Sequence, residues 1–340
     1  MKLKTVELTN NHGTIIKILN YGARVMSIKT IDKSGKFGEI VLGYDQPEDY
    51  LDGNPYFGVT IGRCANRISN AKFSISCPIY RLEKNQGADH LHGGSDGFHQ
   101  VYWDLGEVNK TPKAQSVKLN YTSADMEAGY PGILKVELRY SLTNQNELKI
   151  DYLAESSKTT IVNLTHHSFF NLKDGGKSKI ENHFIKINAD HFTPVNERVI
   201  PTGEIKPVKN TPFDFTNFYE IGERIDTNDQ QLLFGKGYDH NYVLNKTGNE
   251  LSLAAEVYEN ESGRAMEVYT TEPGLQFYSG NFLDGSDIGI EGTVYQKRLA
   301  FCLETQHFPD TPNHDNFPSI LLKPGEKYRQ ETIYKFKLAR

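Results

Sequence analysis

The chain is poor in cysteine. Among 340 residues only Cys64, Cys77 and Cys302 occur, an odd number, far apart and in no metal-type spacing. Neither a disulfide framework nor a thiolate metal centre is expected, and a reducing compartment fits such usage best. Long apolar runs are missing too. No stretch approaches the roughly 18 consecutive apolar residues of a membrane helix, and Met1 to Val6 lead into strand-like sequence without an apolar signal core. A cytoplasmic location and no membrane partner are therefore expected. Basic clusters and interleaved aromatic stripes are also lacking, and 38 basic against 43 acidic residues leave a net charge of -5. That composition counts against nucleic acid as a partner. No HExxH or similar close ligand pair occurs, and no Pro/Ser/Gly-rich linker or composition shift divides the chain. One domain over residues 1–340 is the expectation, with the oligomeric state left open.

What the chain does have is alternation. With 37% hydrophobic and 11% aromatic residues it can bury an ample core, so no structural metal is needed for stability. Apolar and polar residues alternate at 14–18, 117–121, 136–142, 148–152 and 184–187, which is the period of half-buried strands. Turn-forming residues separate such runs at 32–35, 143–146, 173–176 and 260–263. Helical periodicity is scarce, and its best candidate is short, 217–225 with Thr216 as N-cap. An all-β, antiparallel, meandering fold follows, and a generic jelly roll would give the same pattern.

Several segments carry residues suited to chemistry. In 301–310, Phe301 and Leu303 alternate with Cys302 and Glu304 before Pro309 closes the run. Glu304 is thus an ionisable group near the end of a rigid strand, as a placed base requires. His92 precedes Gly93 and Gly94, whose backbone freedom permits a sharp turn beside open space. His166 and His167 are adjacent in a strand-like run, so they face opposite ways and only one can reach a given site. Asn66 and Arg67 combine an amide with a planar guanidinium, a pair suited to forked hydrogen bonding of neighbouring hydroxyls. Asp239, in a Gly-Tyr-Asp-His turn, can accept from two hydroxyls, and Gln276 can bond another while nearby aromatics line an apolar wall.

Six motifs then occur in one order between about residues 15 and 338: Gly62-Arg63-Cys64-Ala65-Asn66-Arg67-Ile68, Leu91-His92-Gly93-Gly94, Thr165-His166-His167-Ser168-Phe169-Phe170-Asn171-Leu172, Gly237-Tyr238-Asp239-His240, the segment from Gly274 to Phe282, and the Glu304 segment. Together they resemble the aldose 1-epimerases, the galactose mutarotases. The resemblance implies the large two-sheet fold called the supersandwich. It also implies interconversion of the α and β anomers of aldoses such as D-galactose and D-glucose, small molecules that are opened and reclosed by acid and base without a cofactor or metal. On that pattern Glu304 is the base, His167 the acid because a histidine precedes Ser-Phe-Phe-Asn-Leu, and His92 an assistant near the ring oxygen, with Asn66, Arg67, Asp239 and Gln276 binding substrate. His166 is left as a core residue or one that supports the site from behind. The chain departs from the pattern at Arg24 and Asp315, where relatives usually carry a smaller or neutral residue and a proline respectively. Three rivals remain: a glycoside hydrolase using Asp239 and Glu304, a metallohydrolase built on His92, His167, Asp239 and Glu304, and a non-catalytic aldose-binding protein.

Overall fold

The computed structural model describes residues 2–53 and 56–339. Alternation becomes paired strand almost throughout, as expected for an all-β chain. The five alternating stretches fall in Ile15–Leu19, Ala114–Ser123, Leu134–Thr143, Glu147–Ser156 and His183–Ile187. In Leu134–Thr143, for example, Leu134, Val136, Leu138, Tyr140 and Leu142 are buried while the residues between them are not. Successive side chains of a strand leave opposite faces, so such a pattern buries one face and wets the other.

A ten-stranded sheet runs in the order Asp104–Leu105, Ala114–Ser123, Leu134–Thr143, Glu147–Ser156, Tyr328–Leu338, Arg264–Thr270, Ser252–Glu259, His183–Ile187 and Tyr219–Glu220, with Asn109–Lys110 also on Ala114–Ser123. Its pairings are antiparallel. The first long strands form the expected meander, but the C-terminal strand inserts between Glu147–Ser156 and Arg264–Thr270, so the sheet closes across a long sequence separation. Its buried face packs on the other sheets in one apolar cluster that joins Leu8, Ile16 and Val25 to Leu138, Ile150 and Val268, and to Tyr242, Leu275, Phe277 and Leu303. Each such aliphatic or aromatic side chain contributes about 1.5–3 kcal/mol on burial.

The strands that carry or flank the candidate site residues are β1 (Val59–Ile61), β2 (Arg67–Ile68), β3 (His90–Leu91), β4 (Thr165–His167), β5 (Asp239–Val243), β6 (Gly274–Tyr278) and β7 (Cys302–Gln306). β1 pairs with β4 and β2 with β3. β5, β6 and β7 are consecutive in a second, five-stranded sheet, whose core face supplies Tyr242, Leu275, Phe277 and Leu303. Its other face presents the cross-strand rows Asp239–Tyr278–Cys302 and Asn241–Gln276–Glu304. Glu304 stands at the centre of β7 rather than near its end.

The helix expected at 217–225 does not form. Tyr219–Glu220 pairs instead with Phe184–Ile185 at the edge of the large sheet, and a 3-10 turn, Ile221–Glu223, follows. Thr216 caps nothing: its backbone N–H and hydroxyl both donate to Asp214 Oδ1. A nine-residue helix is marginal in isolation, and the open sheet edge takes Tyr219 and Glu220 instead. The α-helix among the described residues is α1 (Gln230–Gly235), where Asp229 caps the N-terminus by accepting from the N–H groups of Gln231 and Leu232.

Candidate active site

Glu304, His167 and His92 converge on one cavity of about 240 Å³. The volume is below the roughly 300 Å³ at which drug-sized pockets begin, so it suits a monosaccharide-sized ligand. Period two places Glu304 there: Leu303 and Thr305 on either side turn to the opposite face of β7. Burial pushes the Glu304 carboxyl well above the usual carboxylate range; the negative charge of Asp239 adds to this and Arg67 opposes it.

The two adjacent histidines part as strand geometry requires. His166 faces the core, with Nε2 2.6 Å from Ser168 Oγ and Nδ1 3.4 Å from the Tyr140 hydroxyl. His167 faces the cavity, with Nε2 3.5 Å from Glu304 Oε1. Its ring stacks on Phe169 at a centroid distance of 5.0 Å and on Tyr56 at 5.8 Å. Burial lowers the pKa of His167 to about 4 and that of His166 to about 3.

His92 is set by backbone that only special residues accept. It has φ 52°, Asn66 has φ 60°, and Gly93 has φ 87°. A Cβ on Gly93 would lie 1.9 Å from the Gly62 carbonyl oxygen, so glycine is required there. Asn66 and His92 then bond reciprocally: His92 N–H donates to the Asn66 carbonyl at 2.9 Å, and Asn66 N–H donates to His92 Nδ1 at 3.2 Å. Burial, followed by the neighbouring His167 and Arg67, holds His92 well below the ordinary histidine pKa. A neutral ring whose Nδ1 accepts must carry its proton on Nε2. His92 is therefore a fixed N–H donor.

That tautomer bears on metals. His92, His167 and Glu304 bring ligand atoms within 4.8 Å of one another, close enough to raise the question of a cation. A metal at His92 Nε2 would displace the proton while Nδ1 still accepted from Asn66, which demands an imidazolate. The three side chains fit proton transfer better than coordination.

At the other end of the cavity the polar groups hold one another. Arg67 donates from Nε to Gln86 Oε1 at 2.7 Å, and its backbone N–H donates to Asn66 Oδ1 at 2.9 Å. Arg67 Nη2 lies 3.8 Å from Asp239 Oδ2, while Gln276 Nε2 donates to Asp239 Oδ1 at 2.6 Å. Burial raises the Asp239 pKa against the pull of Arg67 and Gln276. Asn66, Arg67 and Asp239 line the cavity; Gln276 lies behind Asp239 and reaches the site through it. Tyr56, Gln86, Phe169, Tyr278 and Phe282 complete much of the wall. Phe169, Tyr278 and Phe282 fall inside the sequence motifs, whereas Tyr56 and Gln86 sit in loops with no sequence signal. Arg24 is buried with its guanidinium 4.6 Å from the Tyr50 ring centre, and Asp315 is exposed on a distant loop; neither lines the cavity.

Comparison with known proteins agrees with this geometry. The family model for aldose 1-epimerase matches residues 4–335. The galactose mutarotase of Bos taurus is 44% identical over 326 residues, covering 95% of this chain and 91% of that protein. Among solved structures, an aldose epimerase homologue from C. elegans superposes with a TM-score of 0.90 at 28% identity, over 100% of both chains. Galactose 1-epimerase from Lactobacillus acidophilus does so with a TM-score of 0.86 at 29% identity, again over 100% of both. With the ordered motifs, the sandwich and the convergence of Glu304, His167 and His92, these matches establish that the chain belongs to the aldose 1-epimerase family.

Proposed function

We propose that this protein is an aldose 1-epimerase in which Glu304 and His167 exchange protons with the anomeric hydroxyl and the ring oxygen of an aldopyranose. The observation that carries the reading is the Glu304 carboxylate facing the His167 imidazole at 3.5 Å across a buried, sugar-sized cavity. With the proton of the pair on His167, the Glu304 carboxylate takes the proton of the anomeric hydroxyl and the imidazolium delivers its Nε2–H to the ring oxygen. The C1–O5 bond breaks and a carbonyl forms at C1. His92, a fixed Nε2–H donor, assists at the ring oxygen. Rotation about C1–C2 presents the other face of the aldehyde, and reclosure returns each proton to its donor. The enzyme ends as it began, so the chemistry calls for no oxidant or reductant.

Asn66, Arg67 and Asp239 are the groups that grip hydroxyls remote from C1, and Gln276 holds Asp239 in place. Proton transfer by a placed side chain is worth typically about 10²–10⁴-fold, which makes one acid, one base and a set of hydroxyl partners a sufficient inventory. The hydrolase reading has less support, since the carboxylate nearest in role to an acid, Asp239, is engaged by Arg67 and Gln276. The binding-only reading has no use for His167 facing Glu304. We read residues 1–340 as one domain working on a small-molecule aldose, and take the free thiols, with Cys77 exposed, to fit a cytoplasmic setting. Polarimetry on freshly dissolved α-D-galactose and α-D-glucose, with and without EDTA, tests the function. Accelerated relaxation that survives chelation is expected. Relaxation no faster than in buffer would leave only the binding-protein reading, and loss on chelation would favour the metal reading.

A further inference from the structure

One strand holds the His167 ring at both nitrogens. Cys302 and Glu304 are two residues apart on β7, so their side chains share the face that β4 packs against. Across that gap His167 Nε2 lies 3.5 Å from Glu304 Oε1, and Nδ1 lies 3.6 Å from Cys302 Sγ. The ring is also stacked between Phe169 and Tyr56, so a flip would forfeit both polar contacts without relieving any packing. Cys302 is fully buried and outside every role assigned above.

We propose that Cys302 is a positioning residue: its sulfur accepts the Nδ1–H of His167, which fixes the ring and leaves Nε2 as the one nitrogen that exchanges protons with substrate. The role rests on the reading of His167 as the acid. A thiol suits it because of what it does not do. Burial pushes the Cys302 thiol well above its ordinary range, with the charges of Glu304 and Asp239 adding to the effect, so the sulfur stays neutral. A neutral sulfur is a weak acceptor. A carboxylate at the same nitrogen would orient the ring too, but would stabilise the imidazolium and blunt it as an acid. The ring oxygen of a sugar is a poor base, and a stronger acid transfers to it more readily. The other titratable groups around the ring are Glu304 on β7, His92 beyond β3, Tyr56, the neighbouring His166 and, further off, His99. None of these titratable groups is placed to accept from Nδ1 as Cys302 is, and the backbone carbonyl of His167 itself also accepts from the ring.

The test combines nitrogen NMR of the histidine-labelled enzyme with kinetics of Cys302→Ala and Cys302→Ser. In the wild type at neutral pH, His167 is expected as the Nδ1–H tautomer; an Nε2–H tautomer would overturn the proposal with no variant needed. Cys302→Ala should lower kcat about tenfold with KM within about twofold, and Cys302→Ser, whose hydroxyl accepts the same N–H, should return kcat to within about threefold of wild type. A kcat for Cys302→Ala within about twofold of wild type, or equal losses in folded Ala and Ser variants, would reduce Cys302 to a space-filling role. If the Ala variant does not fold, the wild-type tautomer decides. A wild type without mutarotase activity is a separate failure, which removes the acid role of His167 itself.

Discussion

Burial raises Glu304 well above the usual carboxylate range and lowers His167 to about 4, so between those two values the facing pair holds one proton between two side chains. One proton is the number mutarotation needs, since one group must give while the other takes. The acid limb of activity is therefore expected near pH 4, below which His167 is protonated while Glu304 also keeps its proton and no base remains. A polarimetric pH series checks this, and an acid limb centred near the ordinary histidine value would contradict it. The adjacent histidines should separate cleanly. His167→Asn should lower kcat by about 10²-fold or more, while His166→Asn should act through stability. The pH dependence of that stability has a definite sign. Unfolded His166 binds a proton near 6.5 but folded His166 not until about 3, so the unfolded state is the more protonated between those values and stability is lost as pH falls through the window. Each such histidine costs about 1.4 kcal/mol per pH unit there. Denaturant unfolding of His166→Asn between pH 6 and 4 should show a shallower pH dependence than wild type, on a lower stability at pH 7. An unchanged slope would mean that His166 is not held neutral by the fold. At this scale the sequence was informative where one side chain's direction follows from its neighbour, as with 166 and 167. It was silent on the His92 tautomer, which depends on a backbone N–H at Asn66, 26 residues away.

Among the elements, β5, β6 and β7 do most to shape the site, because two cross-strand rows put Asp239, Gln276 and Glu304 on one face and the aromatic and aliphatic residues between them in the core. Alternation marked β7 among these strands, whereas Asp239, expected in a turn, is the first residue of β5. The pairing order did not follow from alternation, since register across β5, β6 and β7 is set by contacts distant in sequence. The same limit explains the misread helix at 217–225, where an edge-strand pairing with Phe184–Ile185 won. Gln276 was legible as a polar residue beside aromatics, yet its partner Asp239 comes from the neighbouring strand. The sheet predicts that Asp239→Asn, which turns one acceptor into a donor, leaves Arg67 and a sugar hydroxyl poorly matched at a cost on the order of 1–3 kcal/mol. We expect kcat/KM to fall unequally for galactose and glucose, which differ at one hydroxyl. Equal fractional losses for the two sugars would show that Asp239 does not read that hydroxyl.

The molecule as a whole is a sandwich whose core and site use opposite faces of one sheet, so stability and catalysis should respond to different substitutions. Leu138 is fully buried on the large sheet, outside the cavity. Leu138→Ala should cost about 2–5 kcal/mol of stability while kcat per folded molecule stays at the wild-type value; a matching loss of kcat would mean that the large sheet tunes the site. Composition and alternation were enough for the all-β class, and the ordered motifs for the family and most of the cavity. Tyr56 and Gln86 could not be anticipated, because loops bring them to the site and no periodicity marks loop residues. The most direct test of Glu304 as the base is the anomerisation rate of Glu304→Gln under saturating α-D-galactose, with circular dichroism and sugar binding measured on the same sample. The amide keeps the shape and removes the basic oxygen. A folded, sugar-binding variant with kcat lowered by about 10²–10⁴-fold is the predicted result, and a kcat near that of the wild type would contradict it.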